Sequence, residues 1–187
     1  MLSKGTALGS KWVVDRFLGE GACAKVYSVS ETSRGLDYEV VAKVIPLARP
    51  GKGKKDKEQD RICNTLNYEY ILYTGLLVDF PFAPRRPLKF YGDDLVSGVR
   101  FLVMERLDMD LIAVAKAGMP SIPTIATLGL QMLDGLRWLH AKNFVFVDVK
   151  PDNFMLKNDK LYFVDCKHVL FVAVVCCDDC AVVQLVW

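Results

Sequence analysis

With 187 residues, 52% of them hydrophobic, and a net charge of +2, the chain is the size of one domain or most of one and has ample material for a core, which excludes whole-chain disorder. So mild a charge gives no argument for binding nucleic acid or a membrane surface. The N-terminal stretch MLSKGTALGSKWVVDRF lacks the apolar segment of a signal peptide, and no run of about 18 apolar residues marks a transmembrane helix. A protein of the cell interior, in cytoplasm or nucleus, is expected. The cysteines are Cys23, Cys63, Cys166, Cys176, Cys177 and Cys180; without an export signal they argue against a disulfide framework.

In chain order, KWVVDRFLGEG, KVYSVSE and YEVVAKVIP read as strands, short and rich in Val, Tyr and Phe with glycine or charge between them. The basic stretch RPGKGKKDKEQDR reads as an exposed loop, with an anion-binding arm as the alternative. NTLNYEYILYTGLL has helical length and apolar spacing, and PLKFYGDDLVSGVRFLVMERL reads as a hairpin. PTIATLGLQMLDGLRWLHAKN is the clearest helix. Thr124 follows Pro123 as its expected N-cap, and Ile125, Leu128, Met132, Leu136 and Leu139 form one apolar face. The strand VFV, the polar turn DVKPDN and the strands FML and LYFVD around KNDK come next. This order predicts an α+β fold in two lobes, with MERLDMD as the link.

Several residues in this frame carry chemistry. Gly19 and Gly21 lie between two strands, where glycine lets backbone approach phosphate oxygens; an ordinary hairpin turn explains them equally well. Lys43 sits mid-strand in VVAKV. Isolated burial of its ammonium is costly, so it lies at an edge or has a partner. Glu69, in LNYEYILY, is either a plain exposed helix acid or that partner. The stretch VFVDVKPDNFML is more specific. Phosphoryl transfer needs a carboxylate to orient a hydroxyl, cations for the transferred charge and oxygen ligands for Mg²⁺. Asp148, Lys150, Asn153 and Asp165 supply these, whereas a polar turn explains them only one at a time.

From Trp12 to Asp165 the sequence resembles the eukaryotic protein kinase family, most closely its casein kinase I and vaccinia-related kinase branch. LGEGACAKVY, VVAKV, LNYEYILY, FLVMERL, LRWLHAKNFVFVDVKPDNFML and LYFVD carry the resemblance. It implies a protein-kinase-like two-lobed fold. The small lobe at 12–105 is complete, the hinge lies at 105–108, and only the first part of the large lobe follows at 109–165. It also implies roles. Lys43 binds the α- and β-phosphates of ATP and pairs with Glu69; Gly19 and Gly21 cover the phosphates. Leu18, Val26, Val41 and Met155 sandwich adenine. Met104 is the gatekeeper, and Glu105 to Leu107 form the hinge whose backbone bonds the base. Asp148 is the catalytic aspartate with Lys150 its companion, and Asn153 and Asp165 hold Mg²⁺. The partners implied are ATP and a protein substrate phosphorylated on Ser or Thr.

Three departures stand against this pattern. Cys23 and Ala24 replace an aromatic and a glycine in the glycine-rich loop. Phe146 and Val147 replace His-Arg before Asp148, which removes the usual anchor for a phosphorylated activation loop. Cys166-Lys167 replaces Phe-Gly after Asp165 and opens a Cys-rich apolar tail, 166–187. A zinc site built on Cys177 and Cys180 with Cys166 or His168 is the lesser reading of that tail. The expectation is a truncated kinase, its sequence after Asp165 replaced through a premature end or a misread exon boundary. Phosphate transfer is then impaired and the long helix partly uncovered, open to self-association. A pseudokinase-like nucleotide-binding or scaffold protein is the alternative.

Overall fold

The computed structural model describes residues 1–21, 23–33, 37–47, 54–85, 91–166, 169–177 and 180–186. The chain forms two compact units, Met1–Val78 with Pro84–Arg106, and Asp79–Ala83 with Leu107–Trp187.

The first unit is a six-stranded antiparallel sheet with one helix. Its strands are β1 (Ala7–Leu8), β2 (Trp12–Glu20), β3 (Lys25–Glu31), β4 (Val40–Pro46), β5 (Tyr91–Asp94) and β6 (Val99–Glu105), in the order β1-β2-β3-β4-β6-β5. Period-two alternation assigns the faces. Val40, Ala42 and Val44 of β4 and Val99, Phe101 and Val103 of β6 pack with Leu8, Trp12, Val14, Tyr27 and Val29 on one face. The intervening Ile45 and Leu102 face the other way, onto Cys63 and Leu66 of helix α1 (Lys54–Ile71). Each such fully buried aliphatic side chain contributes about 1.5–3 kcal/mol. Ala7–Leu8, outside the expected domain, form the edge strand of this sheet: Leu8 is fully buried and pairs with Trp12.

Helix α1 begins ten residues before the expected start at Asn64, inside the stretch read as a loop. Its first turns, KKDKEQDR, lack apolar periodicity. They are rich in straight-chain residues that lose little rotamer freedom in a helix, and Glu58 meets Arg61 at 3.5 Å one turn on. Residues 49–53 of that stretch lie outside the described residues. The helix runs on through a wider turn, Leu72–Leu76, closed by the Leu77 N–H on the Leu72 carbonyl at 2.7 Å.

The second unit holds β7 (Met109–Asp110), α2 (Leu111–Ala117), α3 (Ile122–Ala141), β8 (Phe144–Phe146), β9 (Phe154–Lys157), β10 (Lys160–Phe163), β11 (Val169–Cys177) and β12 (Cys180–Val186). They form two small sheets, β10-β9-β7 and β12-β11-β8. Asn158 and Asp159 turn β9 into β10, both at positive φ, 49° and 60°, as a two-residue hairpin requires. The N-cap of α3 is Ser121 rather than Thr124: the Ser121 hydroxyl accepts from the Thr124 N–H. Pro123 fits the first turn because the N–H it lacks has no helical partner there.

One short segment lies elsewhere than the expected boundary put it. The division at residue 105 placed Asp79–Ala83 in the first lobe. They pack in the second unit, where Phe80 and Phe82 stack on Phe163 and the Phe82 carbonyl accepts the Phe163 N–H at 2.8 Å. On α3, Leu139 is buried, Leu128, Met132 and Leu136 are half-covered and Ile125 is exposed, so the expected face is partly uncovered. The uncovered side chains are Ile122, Ile125, Leu130 and Leu133. Gly135 lies against Phe163 so closely that a Cβ would strike its ring. Overpacking of that kind costs about 1–3 kcal/mol.

The tail enters the second sheet. β11 pairs antiparallel with β8, Phe171 opposite Phe144 and Val169 opposite Phe146, and β12 pairs with β11. The side chains of 173–187, Cys176, Cys177 and Cys180 included, and the whole of Lys167 and His168 lie outside the described residues. Cys166 is buried, its thiol 3.8 Å from the Phe163 carbonyl oxygen. Among the described residues no group of three His, Cys, Asp or Glu is placed to hold a metal ion.

Candidate active site

Lys43 and Glu69 meet within the first unit. Alternation along β4 turns Lys43 to the side of Ile45, toward α1, and helical spacing puts Glu69 one turn beyond Leu66 on the buried face of α1. The Lys43 Nζ lies 2.6 Å from Glu69 Oε1, with side-chain exposures of 17% and 2%. Partnership, not an exposed edge, is therefore the answer to the mid-strand lysine.

Strand register places Val26 opposite Lys43, and Val41 opposite both Ser28 and Met104. Val26, Val41, Lys43 and Met104 thus share one face of the sheet, as opposed residues do. Leu18 is exposed on β2, at the register shift between Phe17 and Gly19. The glycine-rich segment is a turn closed by the Gly21 N–H on the Ala24 carbonyl at 2.9 Å, with Gly19 opposite Val26. Nothing lies within 4 Å of where a Cβ on Gly19 would sit, and neither glycine has a positive φ. The fold itself does not require glycine at either position. Glu105 is buried and its carboxylate accepts the Arg85 N–H at 2.7 Å.

The second unit holds the remaining residues. Leu107 is buried, and the next residue donates its N–H to the Leu156 carbonyl on β9. Met155, also on β9, pairs with Asp110. Asp148, Lys150 and Asn153 come together in the turn between β8 and β9. Asn153 is 3% exposed. Its Nδ2 donates to the Asp148 carbonyl oxygen at 2.8 Å and to Asp148 Oδ2 at 2.9 Å. Lys150 Nζ meets the same Oδ2 at 2.8 Å. That hydrogen bond, followed by the charges of Asp148, Asp152 and Asp165, raises the Lys150 pKa above its ordinary value.

Asp165 follows β10. The Val164 N–H donates to the Asn153 carbonyl at 2.9 Å, which ties the approach to Asp165 to the turn. Asp165 has φ 59°, in the left-handed region where non-glycine residues are uncommon and aspartate is among the tolerated ones. Such outliers concentrate at functional sites. Beneath lies an aromatic floor: Phe163 packs on Phe80, Phe146 and Phe154 with ring centroids 5.2, 5.3 and 4.9 Å apart. Phe146 occupies the position where the family pattern has histidine.

The donor set fits Mg²⁺. Both acceptors that Asn153 Nδ2 faces lack hydrogens, so the amide orientation is fixed and its oxygen remains an acceptor. That oxygen and the Asp165 carboxylate match the few hard ligands Mg²⁺ takes beside phosphate oxygens.

A protein kinase domain model matches residues 12–167. The chain belongs to the protein kinase family. Serine/threonine-protein kinase VRK2 of Homo sapiens is 30% identical over 172 residues, covering 84% of this chain and 32% of that protein. A probable casein kinase I homolog of Encephalitozoon cuniculi is 35% identical over 107 residues, 54% of this chain and 34% of its own length. A probable serine/threonine-protein kinase of Fowlpox virus is 27% identical over 161 residues, 83% of this chain and 52% of that protein. The chain thus spans about a third to a half of these relatives. The branch that the motifs resemble is represented among them.

Sequence reading of this kinase domain missed the aromatic floor and Gly135, which packs on it. A lone glycine inside a helical pattern is the signal that points to close packing. Phe80 and Phe82 carry no such signal, because they reach Phe163 across some eighty residues of sequence.

Proposed function

We propose that this kinase domain binds Mg-ATP, and that the reaction it belongs to is transfer of the γ-phosphate to Ser or Thr hydroxyls of a protein. The observation that carries the reading is the Asp148–Lys150–Asn153 constellation in one turn. Asp148 orients the hydroxyl and accepts its proton. Lys150 neutralises charge on the transferred group, and Lys43, held by Glu69, does so at the other phosphates. Asn153 and Asp165 would hold Mg²⁺, which supplies charge stabilisation to the phosphoryl oxygens when bound. Leu18, Val26, Val41 and Met155 enclose the base. Met104 sits at its back, and the backbone of Glu105 to Leu107 bonds its edge.

For these 187 residues alone we propose nucleotide binding with little phosphate transfer, a pseudokinase-like state. The buried Cys166 beside Asp165, where the family has phenylalanine, supports this second reading. Among the described residues no helix is long and apolar enough to cross a membrane.

The experiment is thermal melting of the full chain with and without Mg-ATP. Ligand that binds only the folded state raises the melting temperature. Wild type gains a shift, Lys43→Met loses it, and Asp148→Asn keeps it. No shift in wild type, or an equal shift in Lys43→Met, overturns the assignment.

A further inference from the structure

The Lys43–Glu69 ion pair joins a strand to a helix, so it depends on where α1 lies on the sheet. Apolar packing of Cys63 and Leu66 on Ile45 and Leu102 holds α1 close, but such packing is non-directional and resists rolling weakly. Two directional anchors add what packing lacks. At the first, Gln59 Nε2 and the Cys63 thiol donate to the Pro46 carbonyl oxygen at 2.6 and 3.1 Å, on the strand that carries Lys43. At the second, Arg100 of β6 holds the Asp93 carboxylate of β5 with Nε and Nη2 at 2.6 and 3.0 Å. That two-point grip fixes the plane of the guanidinium. Its Nη1 then reaches Asn64 Oδ1 on α1 at 3.2 Å.

We propose that Arg100, acting through Asn64, is a positioning residue for the Lys43–Glu69 pair. The line Asp93–Arg100–Asn64 runs from a sheet edge to α1 and fixes the helix where Glu69, five residues beyond Asn64, meets Lys43. Without it α1 rolls and the Lys43 ammonium is no longer aimed. Arginine is required because a lysine offers a point charge and cannot hold Asp93 and Asn64 in one plane. The inference rests on the nucleotide reading for its consequence, but its geometry can be tested without nucleotide.

The test is the rate at which acetic anhydride acetylates Lys43 in the full chain, read by mass spectrometry, beside Mg-ATP affinity by calorimetry. Asn64→Leu raises the Lys43 rate about tenfold, the scale of one lost hydrogen bond to a charged group. Asn64→Asp, which still accepts from Arg100, restores the wild-type rate. In a Glu69→Gln background, Asn64→Leu adds nothing, because the two residues then act through one contact. An unchanged rate in Asn64→Leu overturns the proposal, as does an equal increase in both backgrounds. Labelling as expected with no Mg-ATP binding in wild type leaves the positioning role standing and overturns only the nucleotide reading.

Discussion

Asn153 directs its side-chain amide at two oxygens of one residue, the carbonyl and Oδ2 of Asp148, at 2.8 and 2.9 Å. The turn is thereby closed by a side chain that water scarcely reaches, and the carboxylate is held where Lys150 also meets it.

Asn153→Leu removes both donors. Leaving a buried polar group without its partner costs about 1–3 kcal/mol, so the melting temperature should fall by several degrees. Asn153→Asp places a second negative charge at Asp148 Oδ2. It should be the worse variant at pH 7 and approach the leucine variant as acid protonates one carboxyl. Melting curves across pH check this; equal stability of the two variants at pH 7 contradicts it.

The Lys43–Glu69 pair makes a separate prediction about stability. Breaking a buried pair by removing one partner costs about 3–5 kcal/mol, whereas replacing both by apolar groups is often neutral. Lys43→Met leaves Glu69, 2% exposed, facing apolar surroundings. Lys43→Met/Glu69→Leu should therefore be more stable to urea than Lys43→Met alone, although neither binds Mg-ATP. A double variant less stable than the single one would refute this account of the pair.

What the sequence disclosed follows from how local each signal is. Asp148, Lys150 and Asn153 lie within six positions, so one turn could be read as one site. Lys43 stayed open between an edge and a partner, because VVAKVIP is apolar on both faces and only the approach of α1 with Glu69 decides it. The start of α1 was hidden because KKDKEQDR has no apolar period; its helix rests on propensity and on Gln59 reaching Pro46. Ser121 displaced Thr124 as the cap because Pro123 belongs inside the first turn, a choice that depends on one hydrogen bond. Arg100 gave no signal, since an exposed-looking strand arginine acquires meaning only when Asn64 and Asp93 are brought beside it.

Asp94 couples the hairpin to acid. Its Oδ1 accepts the Ser97 N–H and its Oδ2 the Gly9 N–H, both at 2.8 Å. The Ser97 bond, with help from Gly9 and against burial, holds its carboxyl below the usual 3.8. Asp93 is lowered too, chiefly by Arg100. A carboxyl with a depressed folded pKa adds stability that is full above its unfolded pKa, near 3.9, and vanishes as pH falls through the folded value. The advantage of wild type over Asp94→Asn in urea midpoint should thus be constant at neutral pH and shrink below about pH 4. A gap that persists unchanged into acid would show that Asp94 acts through shape alone.

Helix α3 is apolar around more of its circumference than its own unit covers. At 100° per residue, Ile122, Leu130 and Leu133 fall on one side of the half-covered line through Leu128, Met132 and Leu136, and Ile125 lies on that line at its exposed N-terminal end. Ile122, Ile125, Leu130 and Leu133 are 83%, 47%, 63% and 60% exposed. Contiguous apolar surface of several hundred Å² drives association. The 187-residue chain should therefore self-associate with rising concentration, and Leu130→Gln/Leu133→Gln should shift light-scattering mass toward the monomer without lowering the melting temperature, since neither side chain is buried. A wild-type monomer at high concentration, or a double variant that associates just as strongly, would remove α3 as the surface responsible.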